Sequence, residues 1–122
     1  MKLRIKGNSI RIRLTKSEVD YFGTNGYLEE KTEFGNSELI YAIKSNVNTN
    51  EISANFDGNT ITVSIPENLK KEWVETDKIG LENKLDIGMG KQLFLLIEKD
   101  FVCLDNTFED QSDNYPNPNA TC

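Results

Sequence analysis

The chain states one pattern twice. The string "GNSIRIRL" at positions 7–14 returns as "GNTITVSI" at positions 58–65, an offset of 51. At that offset Met1, Leu3, Ile5, Ile10, Ile12 and Leu14 fall on Ile52, Ala54, Phe56, Ile61, Val63 and Ile65, apolar on apolar throughout. Period-two alternation on both sides of a Gly-Asn pair reads as a β-hairpin, with glycine supplying the positive φ of a tight turn. Phe22 meets Trp73 at the same offset. The offset grows to 53 for Leu28 and Leu81, and to 54 for Leu39 and Leu93 and for Ile43 and Ile97. Growth in small steps places the inserted residues in loops, which tolerate them.

Each copy reads as two strands, a short helix and two strands. In the first, Thr15 and Glu18 form a capping box ahead of a helix that Gly23 ends. In the second, Pro66 opens a helix that places Leu69 and Trp73 on one face. The segments "YLEEKTEF" and "ELIYAIK" then flank Gly35-Asn36, and their counterparts flank "GMG" at 88–90. A half of about 45 residues buries too little surface to fold alone, so the halves must pack on each other. The expected fold is α+β, a duplicated ββαββ unit forming one pseudo-twofold domain of antiparallel strands with two short helices. That domain spans residues 1–104, with units of about 1–44 and 52–100 joined by "SNVNTN". Residues 105–122 read as an acidic, flexible tail.

Several functional classes are closed by what the sequence lacks. There is no histidine, which excludes Ser-His and Cys-His nucleophilic catalysis and every histidine-containing metal site. "GMGK" at 88–91 lacks the spacing of a phosphate-binding loop and reads as a turn. The acidic pairs Glu29-Glu30 and Glu109-Asp110 read as solvated faces. Cys103 lies in the apolar run "FVCL" and Cys122 near the end of the sequence, and both are expected as free thiols. No cofactor and no metal is expected. The net charge of −6 argues against general nucleic-acid binding. The alternating N-terminal segment is unlike a signal peptide, and no stretch approaches the roughly 20 apolar residues of a membrane span. The expected location is the cytoplasm, with no membrane partner.

One feature differs between the copies. The outward positions of the first hairpin are Lys2, Arg4, Lys6, Arg11 and Arg13, whereas the second has Ser53, Asn55, Asp57, Thr62 and Ser64. A two-residue turn at Gly7-Asn8 would set Arg4 opposite Arg11 and Lys2 opposite Arg13. Opposed like charges cost stability, so an anion must compensate. It is either internal, from Glu29, Glu30 and Glu33 of a neighbouring strand or from the tail, or it is external. In the external case Lys2, Arg4, Lys6, Arg11 and Arg13 form a binding face for an anionic small molecule or an acidic protein surface.

"MKLRIKGNSIRIRLTKSEVDYFG" resembles the opening of a family of short bacterial proteins, and "IEKDFVCL" followed by an acidic stretch and "YPNP" resembles their ending. The resemblance implies a bacterial, cytosolic, stand-alone domain and carries over no activity. The leading expectation is therefore a small accessory or binding protein that uses the basic hairpin. A histidine-free enzyme with a carboxylate and arginine site between the halves is the alternative, and a buried carboxylate in a pocket near Arg11 or Arg13 would favour it. A third reading is a self-assembling homo-oligomer, basic hairpin against acidic tail.

Overall fold

A computed structural model describes residues 1–101 and 112–116. The first Gly-Asn pair makes the expected turn, since Lys6 pairs with Ser9 and leaves Gly7-Asn8 as a two-residue loop. Gly7 has φ +54 and its counterpart Gly58 has φ +58, so both turns use the left-handed region that glycine enters without strain. The hairpins are β1 (Lys2–Lys6) with β2 (Ser9–Leu14) and β5 (Ser53–Asp57) with β6 (Thr60–Pro66). Helices α1 (Lys16–Asn25) and α2 (Glu67–Glu75) follow them, and then the antiparallel pairs β3 (Tyr27–Glu33) with β4 (Glu38–Asn46) and β7 (Gly80–Gly88) with β8 (Lys91–Lys99).

The two ββαββ units interleave. One sheet has the order β1-β2-β8-β7 and the other β3-β4-β6-β5, so every sheet takes one hairpin from each unit. The hairpins are antiparallel, as expected, but the seams joining them, β2 with β8 and β4 with β6, are parallel. Both seams share one register: Ile12 pairs with Ile97, and its counterpart Val63 pairs with Ile43. A seam can be parallel because a helix and a further hairpin intervene between its strands, which leaves room for the crossover that parallel pairing needs.

The inward faces of both sheets and one side of each helix form a single core around Phe22, Trp73, Leu14, Ile65, Ile43 and Ile97. The Trp73 indole N–H donates to the Ile79 carbonyl at 3.0 Å, so the largest core side chain is also satisfied. Helix α1 runs past Gly23, where the sequence suggested an end, and is capped by Gly26 in the left-handed conformation. Gly23 instead lies against α2, where a Cβ would stand 2.6 Å from Val74 Cγ1. Residues 23 and 74 are counterparts at the offset of 51, so the helices cross at the pseudo-axis.

Side chains also bridge the sheets along their edges. The Met1 ammonium donates to Glu18 and, at 2.6 Å, to Glu30 of β3, and the Tyr41 hydroxyl donates to the Met1 carbonyl at 3.2 Å. On the opposite edge Asn83, the counterpart of Glu30, donates to the carbonyl of Ile52, the counterpart of Met1, at 2.8 Å. Glu18 also accepts from the Thr15 N–H at 2.9 Å, so one carboxylate caps α1 and anchors β1.

Burial opposes the Met1 charge, yet hydrogen bonds from its ammonium to Glu18 and Glu30 outweigh it and hold that group above its ordinary value of 8.0. Burial likewise opposes ionisation of Glu18, and the Met1 ammonium with the Thr15 N–H outweighs it and holds the carboxyl below its ordinary 4.5. The carboxylate's contribution is thus present above 4.5 and lost as the pH falls through its folded value. The ammonium's contribution is present below 8.0 and lost as the pH rises through its folded value. Replacing Glu18 with Gln should cost about 2 kcal/mol within that window, with the difference shrinking at both extremes. Denaturant unfolding at several pH values checks this, and a pH-independent difference would refute it.

The segment 112–116 lies against the start of α1. The Lys16 N–H donates to the Asp113 carbonyl, the Ser17 hydroxyl donates to the Asp113 carboxylate at 2.6 Å, and the Tyr115 N–H donates to the Asp100 carbonyl. The expectations for the rest of the tail and for Cys103 and Cys122 lie outside the described residues. Among the described residues no helix is long and apolar enough to cross a membrane.

Candidate functional site

The basic hairpin forms one half of the outer face of the first sheet. Alternation places Lys2, Arg4 and Lys6 of β1 beside Arg13, Arg11 and Ser9 of β2, so the expected oppositions of Arg4 with Arg11 and Lys2 with Arg13 are present. The parallel seam then sets β8 alongside: Glu98 pairs with Arg13, Leu96 with Arg11 and Phe94 with Ser9. β7 completes the face with Glu82 beside Leu96 and Lys84 beside Phe94.

A compensating carboxylate inside the protein is Glu98. Its Oε1 accepts from Arg11 Nε at 2.6 Å and from Arg13 Nε at 2.8 Å, so a single oxygen serves two guanidinium groups. Lys2 Nζ lies 2.9 Å from Asp100 Oδ2, an atom that is buried and has no aligned hydrogen bond among the described residues. The glutamates named from the sequence do not serve this purpose, because β3 belongs to the other sheet. There Glu30 takes the Met1 ammonium and Glu29 accepts from the Tyr27 hydroxyl.

Arg4 and Lys6 differ from their neighbours. Both are exposed, and neither side chain has an ion pair or hydrogen bond among the described residues. Beside them lies a shallow groove of about 600 Å³, lined by Ser9, Arg11, Glu82, Lys84, Phe94 and Leu96. Phe94 is 46% exposed and carries the Lys84 ammonium 5.5 Å from its ring centroid. A half-exposed aromatic edged by cations is a surface suited to contact with a partner.

The sequence reading missed Glu98, although a signal was present. At the offset of 54 its counterpart is Lys44, so the carboxylate appears only in the copy whose hairpin is basic. Finding it required knowing that β8, and not β3, lies beside β2.

The fold defines an interleaved, duplicated α+β domain, and the basic face is what breaks its symmetry. The chain belongs to the Family of unknown function (DUF7009), whose model matches residues 1–119. It matches no curated protein and no solved structure.

Proposed function

We propose that this protein is a non-catalytic binding module whose basic sheet face takes an acidic protein surface. The observation that carries the reading is the incomplete neutralisation of that face. One carboxylate, Glu98, is shared by Arg11 and Arg13, while Arg4 and Lys6 have no counter-charge among the described residues. Arginine presents a planar fork of donors suited to carboxylates, and the neighbouring Phe94 and Leu96 add apolar contact. Glu98 stands on a sheet face and its arginine partners keep about a third of their side-chain surface exposed. An open face of this kind favours docking over the enclosed carboxylate and arginine site of an enzyme. The same surface draws attraction mainly from exposed charges, so binding should weaken as salt rises.

Titration with poly-L-glutamate at low and high salt tests the reading. Binding is expected at low salt and should fall steeply with added salt. Replacing Arg4 and Lys6 with Asn should abolish it while leaving the melting temperature unchanged or slightly raised, since neither side chain holds a partner and Arg4 opposes Arg11. Glu98→Gln should do the reverse on both counts, lowering stability by about 1 kcal/mol and strengthening binding by freeing two guanidinium groups. No binding at low salt, or binding that the double substitution leaves intact, would overturn the proposal.

A further inference from the structure

The two ends of the parallel seams have diverged as much as the two hairpins, and one of them holds a buried amine. Lys99 is the last residue of β8, pairs with Leu14 and points to the core side of the sheet, where it is only 6% exposed. A lysine so placed ordinarily has a carboxylate partner. Lys99 has no ion pair among the described residues, and its Nζ donates to the backbone carbonyl of Thr76 at 2.7 Å. It lies 5.5 Å from the ring centroid of Tyr115, whose ring also has the Lys16 ammonium at 5.8 Å.

The fold does not require a lysine there. Ser45 occupies the counterpart position in the first unit and donates its hydroxyl to Glu67, the counterpart of Lys16. A small neutral side chain therefore completes the same seam in the other half. In the second unit the corner opens into a cleft of about 610 Å³ bounded by α1, the end of α2 and the segment 112–116. Its walls include Phe101, Tyr115, Ile79 and Val74 on the apolar side. Ligand sites favour such a place, beyond the carboxyl ends of parallel strands.

The environment of the amine bears on its chemistry. Burial pushes the Lys99 ammonium below its ordinary range, and Asp77 opposes that without forming an ion pair. The other titratable groups facing the cleft are Lys16, Asp20, Glu75 and Tyr115. Burial, with Asp20 and Asp113, pushes the Tyr115 hydroxyl up to about 12, so it stays neutral. A lysine desolvated in a largely apolar site is an arrangement that makes an amine nucleophilic at neutral pH.

We infer that the cleft at Lys99 is a site for a small aldehyde, captured by the Lys99 amine as an imine. The neutral amine's lone pair attacks the carbonyl carbon and a C–N bond forms, giving a carbinolamine. The former carbonyl oxygen then leaves as water, carrying both protons lost from nitrogen, and the C=N bond closes. Nothing is oxidised or reduced. The Phe101 and Tyr115 rings favour an aldehyde with a flat, aromatic body.

Salicylaldehyde is a suitable probe, with cyanoborohydride to fix the imine as a secondary amine and peptide mapping to locate it. At neutral pH the adduct should form first at Lys99, ahead of exposed lysines such as Lys44 and Lys91. Its yield should level off at a lower pH than theirs. Lys99→Met, which keeps an unbranched apolar stem, should lose that early adduct and leave the exposed lysines as slow as before. Arg4→Asn with Lys6→Asn should label at Lys99 as the unaltered protein does, which separates this site from the basic face. Adducts spread over the exposed lysines with Lys99 unmodified would overturn the inference, and the map of the unaltered protein decides this even if the methionine variant fails to fold.

Discussion

Cut between Asn48 and Thr49, the chain should yield two fragments that are unfolded apart and fold together when mixed. Each sheet is built from one hairpin of each unit, joined along the parallel seams of β2 with β8 and β4 with β6. A fragment alone would keep two hairpins, neither paired to anything, and a lone two-stranded hairpin is marginal in water. It would also expose the inward rows Ile12 and Leu14 or Ile61, Val63 and Ile65, which are buried in the whole protein. The expected loss is the entire folding free energy, on the order of 5–15 kcal/mol for a domain. The cut itself is benign, because Val47 is 77% exposed and Asn48 is exposed in a turn beyond β4. Circular dichroism of the separate fragments should lack the native spectrum, and mixing should restore it at a rate that depends on concentration. A fragment that melts cooperatively as a monomer would refute the interleaved arrangement.

The hairpins were legible because their signals are local. Gly7-Asn8 and Gly58-Asn59 fix a turn, the turn fixes register, and register fixes that Arg4 faces Arg11. The parallel seams were not legible, since nothing in the alternation of Ile10 to Leu14 distinguishes a neighbour from the same unit from one in the other. That single unknown hid the most important contact of the basic face. Glu98 could be matched with Lys44 by counting, but only the seam places it between Arg11 and Arg13. Gly23 misled for a related reason. A glycine near the end of a short helical stretch reads as a stop, and only the packing of α2 shows that it is there to admit a second helix. Nothing in the sequence marked Lys99 as buried, because charge in a sequence carries no record of depth.

The crossing at the pseudo-axis makes a further exchange possible. Gly23 and Val74 face each other across it, and the second unit has valine where the first has glycine. Helix propensity alone favours replacing a mid-helix glycine, by about 1 kcal/mol for alanine. Packing opposes it. A Cβ at residue 23 would stand 2.6 Å from Val74 Cγ1, and a valine in a helix is held to one strongly preferred rotamer, so the overlap has no easy escape. Gly23→Val sets a branched side chain on both sides of the axis and should destabilise by about 3 kcal/mol, the upper part of the range for overpacking. The reciprocal exchange, Gly23→Val with Val74→Gly, restores one large and one absent side chain at the same crossing. If the units are equivalent there, the exchanged protein should lie within about 1 kcal/mol of the original, although Val74→Gly alone costs a cavity and a helical glycine. The two substitutions would then be strongly non-additive, with the second repairing the first. Unfolding curves for the two single variants and the pair measure that coupling, and additive losses would mean that residues 23 and 74 do not meet across a shared axis.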